Sequence, residues 1–209
     1  MNYQCKNWKR YTIRRMNMES LWIETTKDEL KLNQLEEDEQ TEVCIIGAGL
    51  FGLTTAYYLT LLGKKVTVLE KGEIGEKVSG NTTGKVTSQH GLFYDHLIKD
   101  YGKEYARKYL EANEEAIKNI KEIIDNEKIE CEYTERKAYV YTTKQDEVIQ
   151  IEQEIEAVRK IGKEAKLVTE TKLPQGMYIN DKPPIYSFRT AQYNGKEILL
   201  IAGSDHKTG

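Results

Sequence analysis

The chain has 209 residues, of which 39% are hydrophobic and 31% are charged, and it carries a net charge of −3. This length allows one domain, or a domain and a half, with a modest core and a polar surface. An acidic net charge gives no general attraction to nucleic acid, so nucleic-acid binding is not expected.

The N-terminal region differs in charge from the rest of the chain. Residues 1–18 contain five basic residues and no acid, and we interpret them as a disordered basic extension, with a nucleic-acid or membrane arm as the alternative. No apolar run is long enough for a signal peptide core or a membrane span, so a cytoplasmic location is expected. Cys5, Cys44 and Cys131 lack disulfide or metal-ligand spacing, and Cys44 is expected to be a core residue.

The most informative segment runs from Val43 to Glu70 and has the pattern strand, glycine turn, helix, strand, acidic residue. In such a βαβ unit, Gly47 makes the sharp turn, Gly49 allows a pyrophosphate to approach the backbone, and Gly52 permits close packing of helix on sheet. The helix N-terminus then offers free N–H groups to the phosphates.

The flanking residues support this interpretation. The helix is predicted to end at Gly63. Its predicted sheet-facing positions are Leu53, Ala56, Leu59 and Leu62. Glu70 follows the second strand, where its carboxylate can accept hydrogen bonds from ribose hydroxyls. An acid at this position favours FAD or NAD, because NADP requires a basic group for its 2′-phosphate.

After residue 71 the alternation of strand and helix stops, and a loop rich in glycine and threonine follows. The elements predicted beyond it are helices at 85–101, 103–126 and 144–162, a hairpin within 131–142 and a strand at 197–203. Doubly wound dehydrogenases continue the alternation, whereas flavoproteins interrupt it in this way.

The glycine turn, Glu70-Lys71 and the loop 79–91, with the sequence SGNTTGKVTSQHG, together resemble a known family. They are similar to the FAD-dependent oxidoreductases of the D-amino-acid oxidase/glycine oxidase family. The loop is most similar to a bacterial subgroup whose members often carry a C-terminal Rieske domain. The resemblance runs from Ser20 to Pro174 and resumes at Gly176.

The resemblance implies an α/β fold: a Rossmann-like FAD-binding βαβ domain with a helical insertion and a β-rich, α+β partial substrate domain. The FAD-binding portion is assigned to residues 19–130 and the partial substrate domain to residues 131–209. The implied activity is oxidation of the C–N bond of a small-molecule amine or amino acid by hydride transfer to flavin N5.

By matched motif, the predicted cofactor-binding residues lie in the turn, after the second strand and in the threonine-rich loop. They are Gly47, Ala48, Gly49, Leu50, Phe51, Gly52, Glu70, Lys71, Thr82, Thr83, Gly84, Lys85, Val86 and Thr87. Arg189 is a candidate for holding a substrate carboxylate, with a surface arginine on an edge strand as the alternative. His90 and His96 are interpreted as packing residues, with a place near the flavin or a role as proton acceptor as the alternative. No metal-ligand cluster is predicted.

Family members are longer than this chain. Relative to the family, the sequence skips a section between Pro174 and Gly176, stops before the C-terminal flavin-binding segment, and contains no Rieske ligand set. The chain is therefore expected to be a shortened family member. Two alternatives remain beside an active oxidase: an inactive FAD-binding remnant, and an NAD-dependent dehydrogenase that uses the same glycine turn.

Overall fold

The computed structural model describes residues 20–26, 32, 34–168, 176–180, 186–193 and 195–203. The chain divides into two compact units, one that ends at Thr82 and one that begins at Thr83. The basic extension predicted at 1–18 and the section around Pro174 lie outside the described residues. In the described part of the chain, no helix is long and apolar enough to cross a membrane.

The first unit contains the predicted βαβ arrangement. A short helix, α1 (Leu21–Thr26), comes first among the described elements. Strand β1 (Val43–Ile46) then leads into helix α2 (Leu50–Leu61), and strand β2 (Val66–Leu69) follows the helix. The two strands are parallel, and Val43 pairs with Val66. Gly63 follows α2 with a φ of +76°, a left-handed conformation that favours glycine and ends the helix where predicted.

In the described part of the chain, the two faces of strand β1 differ in exposure. Side chains alternate along β1, so Val43 and Ile45 are half-buried, whereas Ile46 is 89% exposed and Cys44 is exposed. The prediction that Cys44 is a core residue is therefore wrong, because its side chain points to the other face of the strand. Leu53 and Leu62 are also exposed, in contrast to their predicted places against the sheet.

Three helices of the second unit form a small apolar core. They are α3 (Tyr94–Tyr101), α4 (Lys103–Asn126) and α5 (Val148–Lys160), the last preceded by a 3₁₀ turn at Gln145–Glu147. Tyr94 and Ala106 are fully buried at their contact. The two helices predicted at 103–126 and 144–162 are confirmed. The helix predicted at 85–101 is wrong in its first half, because residues 85–93 are not helical.

A four-stranded sheet completes the second unit. Its strands are β3 (Ala138–Tyr141), β4 (Met177–Asn180), β5 (Tyr186–Tyr193) and β6 (Lys196–Gly203), in that spatial order. β3 and β4 are parallel, whereas β4, β5 and β6 are antiparallel. The strand predicted at 197–203 is confirmed. The hairpin predicted within 131–142 is wrong, because β3 pairs with a strand almost forty residues later.

Candidate functional site

The glycine turn holds the start of α2 against the end of β1. Gly47 has a φ of +105°, and its N–H donates to the carbonyl of Leu69 at 2.7 Å. A Cβ atom on Gly52 would lie 2.0 Å from the carbonyl oxygen of Gly47. No side chain fits at that distance, so the close approach of helix and turn requires glycine at this position.

Gly49 stands at the N-terminus of α2 under a different constraint. Its φ of −81° and ψ of 179° are open to any residue, and a Cβ atom there would meet only the hydroxyl of Ser79, at 3.3 Å. That hydroxyl accepts a hydrogen bond from the N–H of Leu50 at 2.9 Å. Ser79 is therefore the group next to the helix N-terminus, and it was not among the predicted ligands although it begins the SGNTTG loop.

Glu70 lies just beyond β2, and its carboxylate is oriented by the backbone. One oxygen accepts from the N–H of Ala48 at 2.8 Å, and the other accepts from the N–H of Gly72 at 3.0 Å. These hydrogen bonds, Gly72 first and then Ala48, lower the pKa of the Glu70 carboxyl because they stabilise its charged form. The carboxylate is thus ionised at neutral pH and accepts hydrogen bonds only.

The remaining predicted ligands of the first unit are Leu50, Phe51, Lys71 and Thr82. The side chains of Leu50 and Phe51 are 67% and 87% exposed, which leaves their backbone as the part nearest the turn. Lys71 is exposed. Thr82 is also exposed, and its carbonyl accepts from the indole N–H of Trp22 at 2.7 Å.

The other half of the threonine-rich loop belongs to the second unit, where two cations link it to the four-stranded sheet. The Lys85 ammonium donates to the carbonyl of Tyr178 at 3.0 Å and to the hydroxyl of Ser187. Nε of Arg189 donates to the carbonyl of Thr83. The structure therefore brings together three predicted site residues, Thr83, Lys85 and Arg189. Gly84 has a φ of +64°, and Val86 and Thr87 are half-buried.

The end of the loop rests on charged residues that sequence reasoning missed. The buried Ser88 hydroxyl donates to Glu114 and accepts from the Lys163 ammonium at 2.7 Å. Glu154, only 4% exposed, accepts from the side-chain amide of Gln89 at 2.7 Å. These partners are 26 to 75 positions apart in the chain, so no local sequence signal could have revealed them.

A family model described as FAD dependent oxidoreductase (DAO) matches residues 42–189, which include the glycine turn, Glu70, the loop and Arg189. The chain belongs to this family. The membership supports the α/β, Rossmann-like FAD-binding character of the fold and relates the chain to FAD-dependent oxidoreductases. The resemblance stated from the loop and the turn is confirmed.

Curated relatives of this DAO-family chain include three bacterial proteins. A Bacillus subtilis protein named as a Rieske 2Fe-2S iron-sulfur protein, YhfW, is 40% identical over 76% of the chain and 31% of its own length. The Haemophilus influenzae oxidoreductase OrdL is 31% identical over 66% of the chain and 32% of its own length. The Escherichia coli gamma-glutamylputrescine oxidoreductase is 33% identical over 47% of the chain and 23% of its own length.

The aligned part of the DAO-family chain thus spans about a third or less of each of these relatives. The search of solved structures found no match. Within the described residues, no group of histidine, cysteine, aspartate and glutamate side chains is arranged to hold a metal ion. His90 is exposed, and its Nε2 lies 3.4 Å from Oδ1 of Asn113.

Proposed function

We propose that this chain binds FAD non-covalently and that the adenosine and pyrophosphate portions bind at the glycine turn of the first unit. The observation that carries the proposal is the pairing of the α2 N-terminus with the Glu70 carboxylate. The helix end supplies backbone N–H groups and a positive dipole for the pyrophosphate. The carboxylate supplies acceptors for the ribose hydroxyls.

The donors and acceptors at the turn fit this group. The Glu70 carboxylate accepts from the N–H groups of Ala48 and Gly72, and the N–H of Lys71 also stabilises its charge. An ionised carboxylate offers about four acceptor positions in total, so a ribose hydroxyl can still donate to it. A Cβ atom at Gly49 would meet only the Ser79 hydroxyl, which can rotate away. The absence of a side chain there allows a phosphate to approach the backbone.

The proposed reaction is the oxidation of a C–N bond in a small-molecule amine or amino acid. Its support is the family membership and the relative named gamma-glutamylputrescine oxidoreductase. Bound FAD would supply the electron acceptor, while the chain itself would bind and orient the cofactor and substrate. In this proposal residues 19–130 serve FAD binding and residues 131–209 belong to the substrate side. The assignment of Thr82–Thr87 to FAD rests on the resemblance alone.

The test is a visible absorption spectrum of the purified chain with added FAD, recorded after gel filtration. We expect flavin bands to stay with the wild-type protein and to be lost in Gly49→Asp, because a carboxylate there would occupy the approach to the helix N-terminus and repel the phosphates. Gly49→Asn is the matched control, since it adds the same bulk without the charge, and we expect it to weaken binding less.

The other outcomes identify the alternatives. Retention of FAD without reduction by any amine or amino acid under anaerobic conditions would favour an inactive FAD-binding remnant. Tight binding of NADH with no affinity for FAD would favour a nicotinamide-dependent dehydrogenase. Equal retention of FAD by the wild type and Gly49→Asp would remove the cofactor site from the glycine turn.

A further inference from the structure

Two cationic side chains of the second unit link the threonine-rich loop to the four-stranded sheet, one from each side. Lys85 lies in the loop and extends to the sheet, where it donates to the carbonyl of Tyr178 in β4 and the hydroxyl of Ser187 in β5. Arg189 lies in β5 and extends to the loop, where its Nε donates to the carbonyl of Thr83. Lys85 therefore connects the loop to the sheet, and Arg189 connects the sheet to the loop.

The two faces of strand β5 make different contacts. Ser187 and Arg189 are two residues apart in a strand, so they point to the same face of the sheet. Phe188 points to the opposite face, where its ring stacks on Tyr178 at 4.9 Å. The aromatic stack fixes one side of the strand, and the loop is attached to the other.

The partial burial of the Lys85 and Arg189 charges favours a role in which they hold the loop on the sheet. Burial lowers the pKa of Lys85, the charge of Arg189 lowers it further, and burial lowers the pKa of Arg189. Desolvated cations of like charge are stable side by side only when hydrogen bonds offset the cost. Carbonyl and hydroxyl oxygens of the loop and the sheet provide those hydrogen bonds, so the charges depend on the loop staying in place.

We propose that Lys85 and Arg189 are positioning residues that clamp the loop segment Thr83–Thr87 onto strands β4 and β5. This inference rests on the proposed function, in which the loop contacts FAD. It assigns Lys85 a role through the loop backbone instead of a direct contact with the cofactor. It also assigns Arg189 to the loop carbonyl instead of a substrate carboxylate.

The first test measures the clamp without any ligand. Ser187→Ala removes one acceptor of Lys85 and keeps both charges. We expect hydrogen exchange of the backbone amides in peptides covering 83–87 to become about tenfold faster, the factor that corresponds to losing a hydrogen bond to a charged group. Thr190→Ser is the matched control, because it changes an exposed hydroxyl residue of the same strand. Wild-type exchange in Ser187→Ala would overturn the clamp.

The second test separates positioning from direct contact. Lys85→Met and Ser187→Ala are each titrated with FAD and with ADP, which carries the adenosine and pyrophosphate portions but no flavin. We expect both variants to bind FAD about tenfold more weakly, in line with one lost charged hydrogen bond, and to keep wild-type affinity for ADP. The near-UV and visible circular dichroism of bound flavin should change in both.

A different pattern would contradict the proposal. If Lys85→Met weakened FAD binding while Ser187→Ala had no effect on binding or spectrum, Lys85 would act through its own charge on the ligand. If the wild-type chain bound neither FAD nor ADP, the proposed function would fail, and the exchange experiment would still decide whether the clamp exists.

Discussion

Two glycines of the same turn have opposite physical reasons for being glycine. Gly52 is required by the fold, because a Cβ atom would overlap the carbonyl of Gly47. Gly49 is compatible with a side chain in the folded chain, since its backbone is extended and its one near neighbour is a hydroxyl. A pyrophosphate that approaches the backbone would explain why no side chain stands at Gly49.

Substitution of these glycines should therefore separate folding from binding. We expect Gly52→Ala to destabilise the first unit by about 3 kcal/mol, because the overlap forces the helix away from the turn. Gly49→Ala should have a clearly smaller effect on stability. Urea unfolding followed by circular dichroism measures both, and equal losses of stability in the two variants would contradict the interpretation.

At the residue scale, the sequence predicted what is encoded locally. Gly47, Gly52 and Glu70 lie within one βαβ unit, and their spacing determines where they meet. Cys44 was assigned to the core because it lies in an apolar run, but an apolar run does not reveal which face of a strand is covered. Ser79 reaches the α2 N-terminus across 29 positions, and spacing alone does not predict that contact.

At the scale of elements, the beginning of α3 shows why one predicted helix was too long. Glu154 of α5 accepts from the N–H groups of Phe93, Tyr94 and Asp95 at 2.8 to 3.0 Å. These are the first N–H groups of α3, which have no partner inside the helix. A carboxylate from 59 to 61 residues away thus caps the helix, and a local pattern cannot contain this signal.

This cap gives a prediction for the second unit. Glu154→Gln replaces an acceptor oxygen by an NH₂ group that faces backbone donors, and we expect a loss of about 2 kcal/mol in the free energy of unfolding. The matched control is Glu152→Gln on the exposed side of the same helix, which should change stability by less than about 0.5 kcal/mol. Similar values for the two variants would show that the cap contributes little.

The strands illustrate the same limit in another form. β6 was predicted because its apolar run is continuous, and it pairs with its neighbour β5 in the chain. The alternation that marks β3 was equally clear, but its partner β4 lies almost forty residues later. Alternation predicts that a strand forms and which residues share a face, whereas the partner depends on the tertiary fold.

At the scale of the molecule, family membership and geometry support different parts of the conclusion. The family model spans both units, from residue 42 to residue 189, and establishes an FAD-dependent oxidoreductase relationship. The contacts belong to each unit separately: the glycine turn and Glu70 lie in the first unit, and the loop segment that Lys85 and Arg189 link to the sheet lies in the second. The spacing of the glycine turn and Glu70 predicted cofactor contacts for those residues, whereas the contacts assigned to the loop came from the resemblance, and both assignments stay predictions.

The division into two compact units also predicts how the chain responds to substitution. The contacts of Gly52 lie within the first unit, and those of Glu154 lie within the second. If each unit is stabilised by its own contacts, Gly52→Ala should speed hydrogen exchange in β1 and β2 and leave α4 at its wild-type rate. Glu154→Gln should speed exchange in α3 and α4 and leave β1 and β2 unchanged.

Faster exchange in both units after either substitution would mean that they open as one cooperative structure. In that case the stability of the glycine turn would depend on the second unit, and FAD titrations of Lys85→Met and Ser187→Ala would be compared at equal global stability.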